Sequence, residues 1–157
     1  MTVIARPVLP DDARGMSLVL GEIIRTWNSN RPYDPDHVMA HYIAHPDKVA
    51  CTIAIAETGE ALGFQSLKIA RPGNQYDVTP GLGIIGSYVC GPAAGKGVGR
   101  LLFQTTREAA KHAGLPAIDA TIGAGNESGL AFYDAIGFYT YLTPTGRIRK
   151  RFDLKHD

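Results

Sequence analysis

Cysteine is scarce: among 157 residues only Cys51 and Cys90 carry a thiol. Two cysteines build no disulfide framework, so the fold must rest on a buried core rather than on cross-links. Charge of one sign is lacking as well. Sixteen Lys and Arg against 15 Asp and Glu leave a net +1, too little to draw nucleic acid or an anionic membrane to the protein as a whole. Long apolar runs are missing: none approaches the roughly 20 residues that span a bilayer. The start, TVIARPVLPDD, turns polar at once, unlike a secretory leader. These absences predict a soluble, cytoplasmic protein with neither a nucleic-acid nor a membrane partner. With 45% hydrophobic and 20% charged residues, disorder is excluded too.

Glycine is what the chain has in excess. Of 18 glycines, thirteen follow residue 80, with no triplet period that would make them collagenous. Around them the periodicities alternate. Thr2 to Arg6 reads as a strand. Asp11 or Asp12 offers an N-cap for a helix running to Trp27, with Met16, Val19, Leu20, Ile23, Ile24 and Trp27 at helical spacing. Asp34-Pro35 is an N-cap followed by proline at the first helical position, opening about eleven helical residues to His45. Val49–Ala56 and Ala61–Ala70 form a hairpin. After a loop from Arg71 to Pro80, Leu82–Cys90 is a glycine-rich strand. A helix from Gly99 to Ala113 follows, with Val98, Leu101, Leu102, Thr105 and Ala109 on its inner face and Gly114 as its stop. Ala117–Ile122, a helix over 128–136, and the strands Phe138–Leu142 and Arg147–Leu154 complete the chain. The order β-α-α-β-β-β-α-β-α-β-β implies one α/β domain over 1–157 with a mixed sheet, parallel across the helix at 99–113. In the last strand Arg147, Arg149, Lys150, Arg151 and Lys155 face only Asp153 and Asp157, which predicts a charged edge strand.

The chemistry concentrates at Gly91-Pro-Ala-Ala-Gly-Lys-Gly-Val-Gly-Arg100. A glycine-rich turn that leaves a strand and opens a helix lets the backbone approach a phosphate and points N–H groups at it. Two standard nucleotide motifs fail. Cys90 stands where a Walker A loop needs glycine, and Gly97 where it needs Ser or Thr. Arg100 and Leu102 refuse the third glycine of a dinucleotide fingerprint.

A second motif follows: Asn126-Glu-Ser-Gly-Leu-Ala-Phe-Tyr133, then Gly137-Phe138. Together with Ala94-Gly-Lys-Gly97-Val-Gly99, it resembles the GNAT superfamily of N-acetyltransferases, and the N-terminal half looks most like the phosphinothricin-acetyltransferase type. The resemblance covers nearly all of the chain. It implies a central mixed sheet with helices on both faces and acetyl-CoA as donor, with a small amine as acceptor. By the same resemblance Gly95, Lys96, Gly97, Val98, Gly99 and Arg100 cradle the pyrophosphate. Ser87, Tyr88 and Val89 lie where the strand splays from its neighbour, so that backbone can pair with the pantetheine arm and the Val89 N–H can polarise the thioester. Asn126 contacts the pantetheine. Tyr133 is the catalytic residue, stabilising or protonating the departing thiolate; phenol and thiol have reference pKa values of about 10 and 8.5. Ala94 departs from the family's Gln or Arg and loses one contact to the pyrophosphate.

No general base stands in the strand Gly83–Val89. An amine of pKa about 10.4 is neutral at pH 7 only to about 0.04%, a cost of about 4.6 kcal/mol. Glu22 and Ser87 are substrate-side candidates, Glu22 as base. Deprotonation through water, or an acceptor of low pKa, is the preferred alternative. His37, His41 and His45 fall on one helical stripe. Without a glutamate after His37 or a cysteine cluster this reads as a solvent-exposed edge that binds no metal. Cys90, with no histidine near it in sequence, reads as a packing residue rather than a nucleophile. Two functions stay open: an N-acetyltransferase working by direct transfer, or a module of the same fold that holds an acyl-CoA as sensor or scaffold. The family resemblance also implies homodimerisation through the last strands.

Overall fold

A computed structural model describes residues 2–154; Lys155 and Asp157 of the C-terminal charge run lie outside them. In chain order the elements are β1 (Val3–Pro7), α1 (Ala13–Thr26), α2 (Pro35–Val38), β2 (Lys48–Ala56), β3 (Ala61–Ile69), β4 (Gly83–Val89), α3 (Val98–His112), β5 (Ala117–Gly123), α4 (Glu127–Ala135), β6 (Tyr139–Leu142) and β7 (Arg147–Asp153). The strands form one mixed sheet in the order β1-β2-β3-β4-β5-β7-β6. Every neighbouring pair is antiparallel except β4 and β5, joined through α3.

Alternation along the strands feeds two cores. Phe64 of β3 turns to the face covered by α1 and α2, where Met16, Val19, Leu20, Ile24, Val38 and Tyr42 are buried. Leu67, three residues on, points to the opposite face and packs with Ile85, Phe103 and Ile118 under α3 and α4. Each of these large side chains contributes about 1.5–3 kcal/mol of burial. Among the described residues no helix is long and apolar enough to cross a membrane.

Several local expectations are corrected. The Asp12 side chain makes no cap bond to α1; it pairs with Arg6 and accepts the Leu9 N–H at 2.7 Å, stapling the preceding 3-10 turn. Trp27 closes α1 but is 47% exposed. Asp34 caps α2 as expected, accepting the His37 N–H at 3.1 Å. The helix then widens into a π turn over Met39–Ile43 instead of running evenly to His45, closed by Ala44 N–H to the Met39 carbonyl. The inner face of α3 is Val98, Leu102, Phe103, Thr106 and Ala110. Leu101, Thr105 and Ala109 flank it, because the Phe103 ring is drawn into an aromatic group with Phe138 and Phe152.

The charged strand is not an edge. β7 lies between β5 and β6, and the short β6 is the border. The two buried cations of β7 have separate partners: Lys150 donates to Asp134 at 2.6 Å and Thr140 at 2.9 Å, and Arg149 donates through Nη1 to the Asp77 carbonyl at 2.9 Å while its Nε stays unpaired among the described residues. The charges follow from where those partners stand rather than from a need to repel other strands. The glycines of β4 leave its pairing undisturbed. Its register with β3 is regular, and the missing Cβ space is taken by Leu67 and Leu115 at Gly83 and by the Tyr88 ring at Gly86.

Candidate active site

β4 and β5 pair only at Gly83–Ile118 and Ile84–Asp119. Beyond Ile84 the two strands part. Even-numbered β4 residues bond to β3, as the Cys90 N–H to Leu62 carbonyl bond and the Ala70 N–H to Leu82 carbonyl bond show. By antiparallel alternation the N–H groups of Ser87 and Val89 therefore point toward the β5 side, past the last pair. A cleft thus opens in the sheet with two backbone donors on one wall. Side chains alternate too. Ser87 turns to the α3/α4 face, while Tyr88 turns to the α1/α2 face, stacked on Phe64 at 4.9 Å with its hydroxyl 3.3 Å from that of Tyr42.

Just past β4 the chain makes a 3-10 turn at Gly91–Ala93 and enters α3 through Gly97, whose φ of +83° favours a residue without Cβ. No side chain caps this helix. Its first α-helical bond runs from the Leu101 N–H to the Gly97 carbonyl at 3.0 Å, so the N–H groups of Val98, Gly99 and Arg100 precede the ladder, at the positive end of the helix. Beside them lies an open cleft of about 490 Å³ lined by Val3, Lys96, Gly97, Val98 and Leu101. Uncapped donors, a positive helix end and space at Gly95 and Gly97 suit a pyrophosphate. The Arg100 guanidinium is engaged elsewhere, donating to the Ala135 carbonyl at 3.2 Å.

The second motif is built onto the first. A Cβ on Gly99 would stand 2.5 Å from the Phe132 ring, so α3 and α4 meet where one has no side chain. Asn126 caps α4, its Oδ1 accepting the Gly129 N–H at 3.0 Å and the Ser128 hydroxyl at 3.2 Å. Gly129 leaves room for that amide, which a Cβ would meet at 2.6 Å. The cap uses the Asn126 carbonyl and leaves its Nδ2 without a bond to the described residues. With α4 so fixed, Tyr133, 6% exposed, reaches the opening and its hydroxyl lies 2.8 Å from Ser87 Oγ. Burial pushes the Tyr133 phenol well above its ordinary value, and the bond from Ser87 pulls it partly back.

Of the residues expected at the site, the structure brings together Ser87, Val89 and Tyr133 at the opening, with Gly95 to Arg100 beyond the end of β4. Glu22 stands on α1, and its carboxylate accepts the Gly91 N–H at 3.2 Å, anchoring the turn after β4. Cys90 is half-buried, its thiol pushed up to about 11 by burial and by Glu22, a packing residue that stays protonated at neutral pH. The histidine stripe is half-buried rather than solvent-exposed. His37 and His41 stack at 4.9 Å, and burial together with Lys68 and the neighbouring histidines pulls His41 down to about 4. Among the described residues no group of three or more His, Cys, Asp or Glu is placed to hold a metal ion.

Sequence reading missed Gln65. Fully buried in β3, its Nε2 donates to Ser87 Oγ at 2.8 Å, while its Oε1 has no partner. An unpaired buried acceptor costs about 1–3 kcal/mol. It also missed Asp119, fully buried on β5 and bonded by the Tyr141 and Thr121 hydroxyls. In both cases the available signal was a polar residue inside an apolar strand.

The fold recurs in solved structures. The YncA protein of Salmonella typhimurium, solved with its cofactor acetyl-CoA, superposes with a TM-score of 0.81 at 18% identity over 100% of this chain and 96% of that one. The PaiA N-acetyltransferase of Thermoplasma acidophilum, in complex with coenzyme A, gives 0.78 at 16% identity over 98% and 99%. The N-acetyltransferase of Staphylococcus aureus Mu50 gives 0.80 at 22% over 99% and 100%. At these identities the likeness shows a shared fold. No curated protein matches the sequence significantly. The model of the acetyltransferase (GNAT) family matches residues 19–138, from the middle of α1 through the glycine turn to the end of the Tyr133 motif, and the chain belongs to that family.

Proposed function

We propose that the protein transfers the acetyl group of acetyl-CoA to a small amine, directly and within a ternary complex, with residues 1–157 as one catalytic domain. The observation that carries this is the Ser87–Tyr133 pair at the opening between β4 and β5, in line with two inward backbone donors and an uncapped helix start. Acetyl-CoA supplies the activated thioester. The backbone of Gly95 to Arg100 binds its pyrophosphate, Lys96 adds charge, and the backbone of Ser87 and Val89 together with Asn126 Nδ2 hold the pantetheine, while the Tyr88 backbone is taken up by β3. The Val89 N–H faces the thioester carbonyl and stabilises negative charge developing on its oxygen. Tyr133, protonated by its burial, gives its proton to the departing thiolate. The proton lost by the amine leaves through water, or to Glu22. Two of the structural relatives hold acetyl-CoA or coenzyme A, which supports the donor assignment.

The test is release of free CoA thiol from acetyl-CoA with a panel of amines, amino acids and polyamines. Release above the acceptor-free background is the expected result. Binding of acetyl-CoA without release from any acceptor would instead favour a sensor or scaffold, a reading that the Ala94 departure keeps in play.

A further inference from the structure

Three polar side chains on three elements form one chain. Gln65 on β3 donates through Nε2 to Ser87 Oγ on β4 at 2.8 Å, and Ser87 Oγ lies 2.8 Å from the hydroxyl of Tyr133 on α4. The strand register makes the first link unavoidable: Gln65 and Ser87 are direct cross-strand partners on the same face. Gln65 is fully buried, and its other amide atom finds no partner, so Ser87 is its one bonded neighbour among the described side chains. A serine hydroxyl has one proton and two acceptor sites. With one site filled by Gln65, the Ser87 proton has one acceptor among the described side chains, the Tyr133 oxygen. If Tyr133 donated to Ser87 instead, the Ser87 proton would have no such acceptor, and the phenol proton would point away from the cleft.

We propose that Gln65 is a positioning residue for acetyl transfer: it orients the Ser87 hydroxyl as a donor to Tyr133, which leaves the Tyr133 proton free to point into the opening between β4 and β5. This rests on the reading of Tyr133 as the acid. In the step it serves, the Tyr133 O–H bond breaks as the S–H bond of CoA forms. The phenolate is held by the Ser87 hydroxyl until water returns a proton to it, which balances the proton that the acceptor nitrogen gives up to water or to Glu22. Protons balance, and no further reactant enters. Because hydrogen bonds in a chain polarise one another, donation from Gln65 also strengthens the bond that Ser87 makes to the phenolate. As placed, the amide offers Ser87 a donor and leaves its own carbonyl unpaired.

The test uses the full chain. Gln65→Met and Gln65→Leu remove the amide, Gln65→Glu reverses its polarity, and each is also made with Ser87→Ala and with Tyr133→Phe. The first readout needs no acceptor: the Cζ resonance of isotope-labelled tyrosine in the free protein, with Tyr133 identified by its loss in Tyr133→Phe. The proposal expects this resonance to shift in Gln65→Met or Gln65→Leu, and not to shift further when either change is added to Ser87→Ala. The second readout is CoA release with the best amine of the panel. Gln65→Met should lower kcat about 10-fold, part of what a positioned acid contributes, with the KM for acetyl-CoA unchanged. Gln65→Glu should lower it further, and Gln65→Met should cost nothing more once Tyr133→Phe is present. An unmoved Tyr133 resonance, or a full additional loss in the Tyr133→Phe background, overturns the proposal. Wild-type CoA release by Tyr133→Phe itself would overturn the acid reading instead, and the resonance would still decide the fate of the Gln65 chain.

Discussion

Tyr133 shows how one residue's surroundings set its role. Buried on α4 and bonded to Ser87, it holds its proton more tightly than a free phenol, so in the proposed reaction it would meet the thioester as an acid at any physiological pH. Removing its hydroxyl leaves the ring packing against Phe132 and Phe138 intact. Tyr133→Phe is therefore expected to lower kcat about 100-fold, the lower end of general-acid contributions. The affinity for acetyl-CoA, measured by calorimetry, should change by less than about 3-fold, because the lost interaction is made in the transition state. That Tyr133, Ser87 and Val89 meet at one opening was legible from two motifs and the strand between them. Gln65 was not, because what matters about it is the register that sets it opposite Ser87, and register is a property of two strands together.

At the scale of elements the two motifs are one structure. Gly99 is bare because Phe132 occupies the space its Cβ would need, and Phe132 precedes Tyr133, the proposed acid. Gly99→Ala must push α4 away from α3 by displacing an aromatic ring. It is expected to destabilise the protein by about 1–3 kcal/mol, the usual cost of overpacking, read from urea unfolding. It should also lower turnover by moving Tyr133 away from Ser87.

The widened turn after α2 makes a different prediction. His41 is held near pKa 4 by burial first, then by Lys68 on β3, by His37 and His45 on its own stripe, and by Arg31 in the preceding loop. In the unfolded chain it regains its ordinary value of about 6.5. Its folded value is the lower one, so its contribution to stability is present above pH 6.5 and is lost as pH falls from there through about 4. Compared with wild type, His41→Gln should lose less stability between pH 7 and pH 4.5, measured by denaturant midpoints at the two values. Helical spacing alone placed these histidines on one stripe, but gave no warning of the π turn or of Lys68 above Tyr42. The burial came from tertiary packing. The same limit explains β7: its charge density looked like an edge, and only the tertiary structure brings Asp134, Thr140 and the Asp77 carbonyl within reach of its two buried cations.

For the molecule as a whole, the opening between β4 and β5 is a cost that a ligand should repay. A parallel pair reduced to two residues leaves the sheet's two halves joined at that short pairing and through the core that Leu67, Ile85, Phe103 and Ile118 share, with the N–H groups of Ser87 and Val89 facing the gap beyond the last pair. A ligand that fills the gap and also bonds the start of α3 would bridge both halves and bind only the folded state. Mass action then requires stabilisation: at a concentration 100 times its dissociation constant, acetyl-CoA should add about 2.7 kcal/mol. For a chain of this size each kcal/mol moves the melting temperature by roughly 2–4 °C, so the expected rise is about 5–10 °C. CoA should give nearly the same shift, since the proposed contacts fall mostly on the pyrophosphate and pantetheine. Acetate should give none. A fragment such as adenosine 3′,5′-bisphosphate, which lacks the arm that enters the gap, should give a smaller shift than CoA when each is set at the same absolute concentration. Equal shifts from the two would place the binding energy at the helix start alone and leave the splayed strands without their proposed role, whereas no shift with millimolar acetyl-CoA would remove the donor assignment itself.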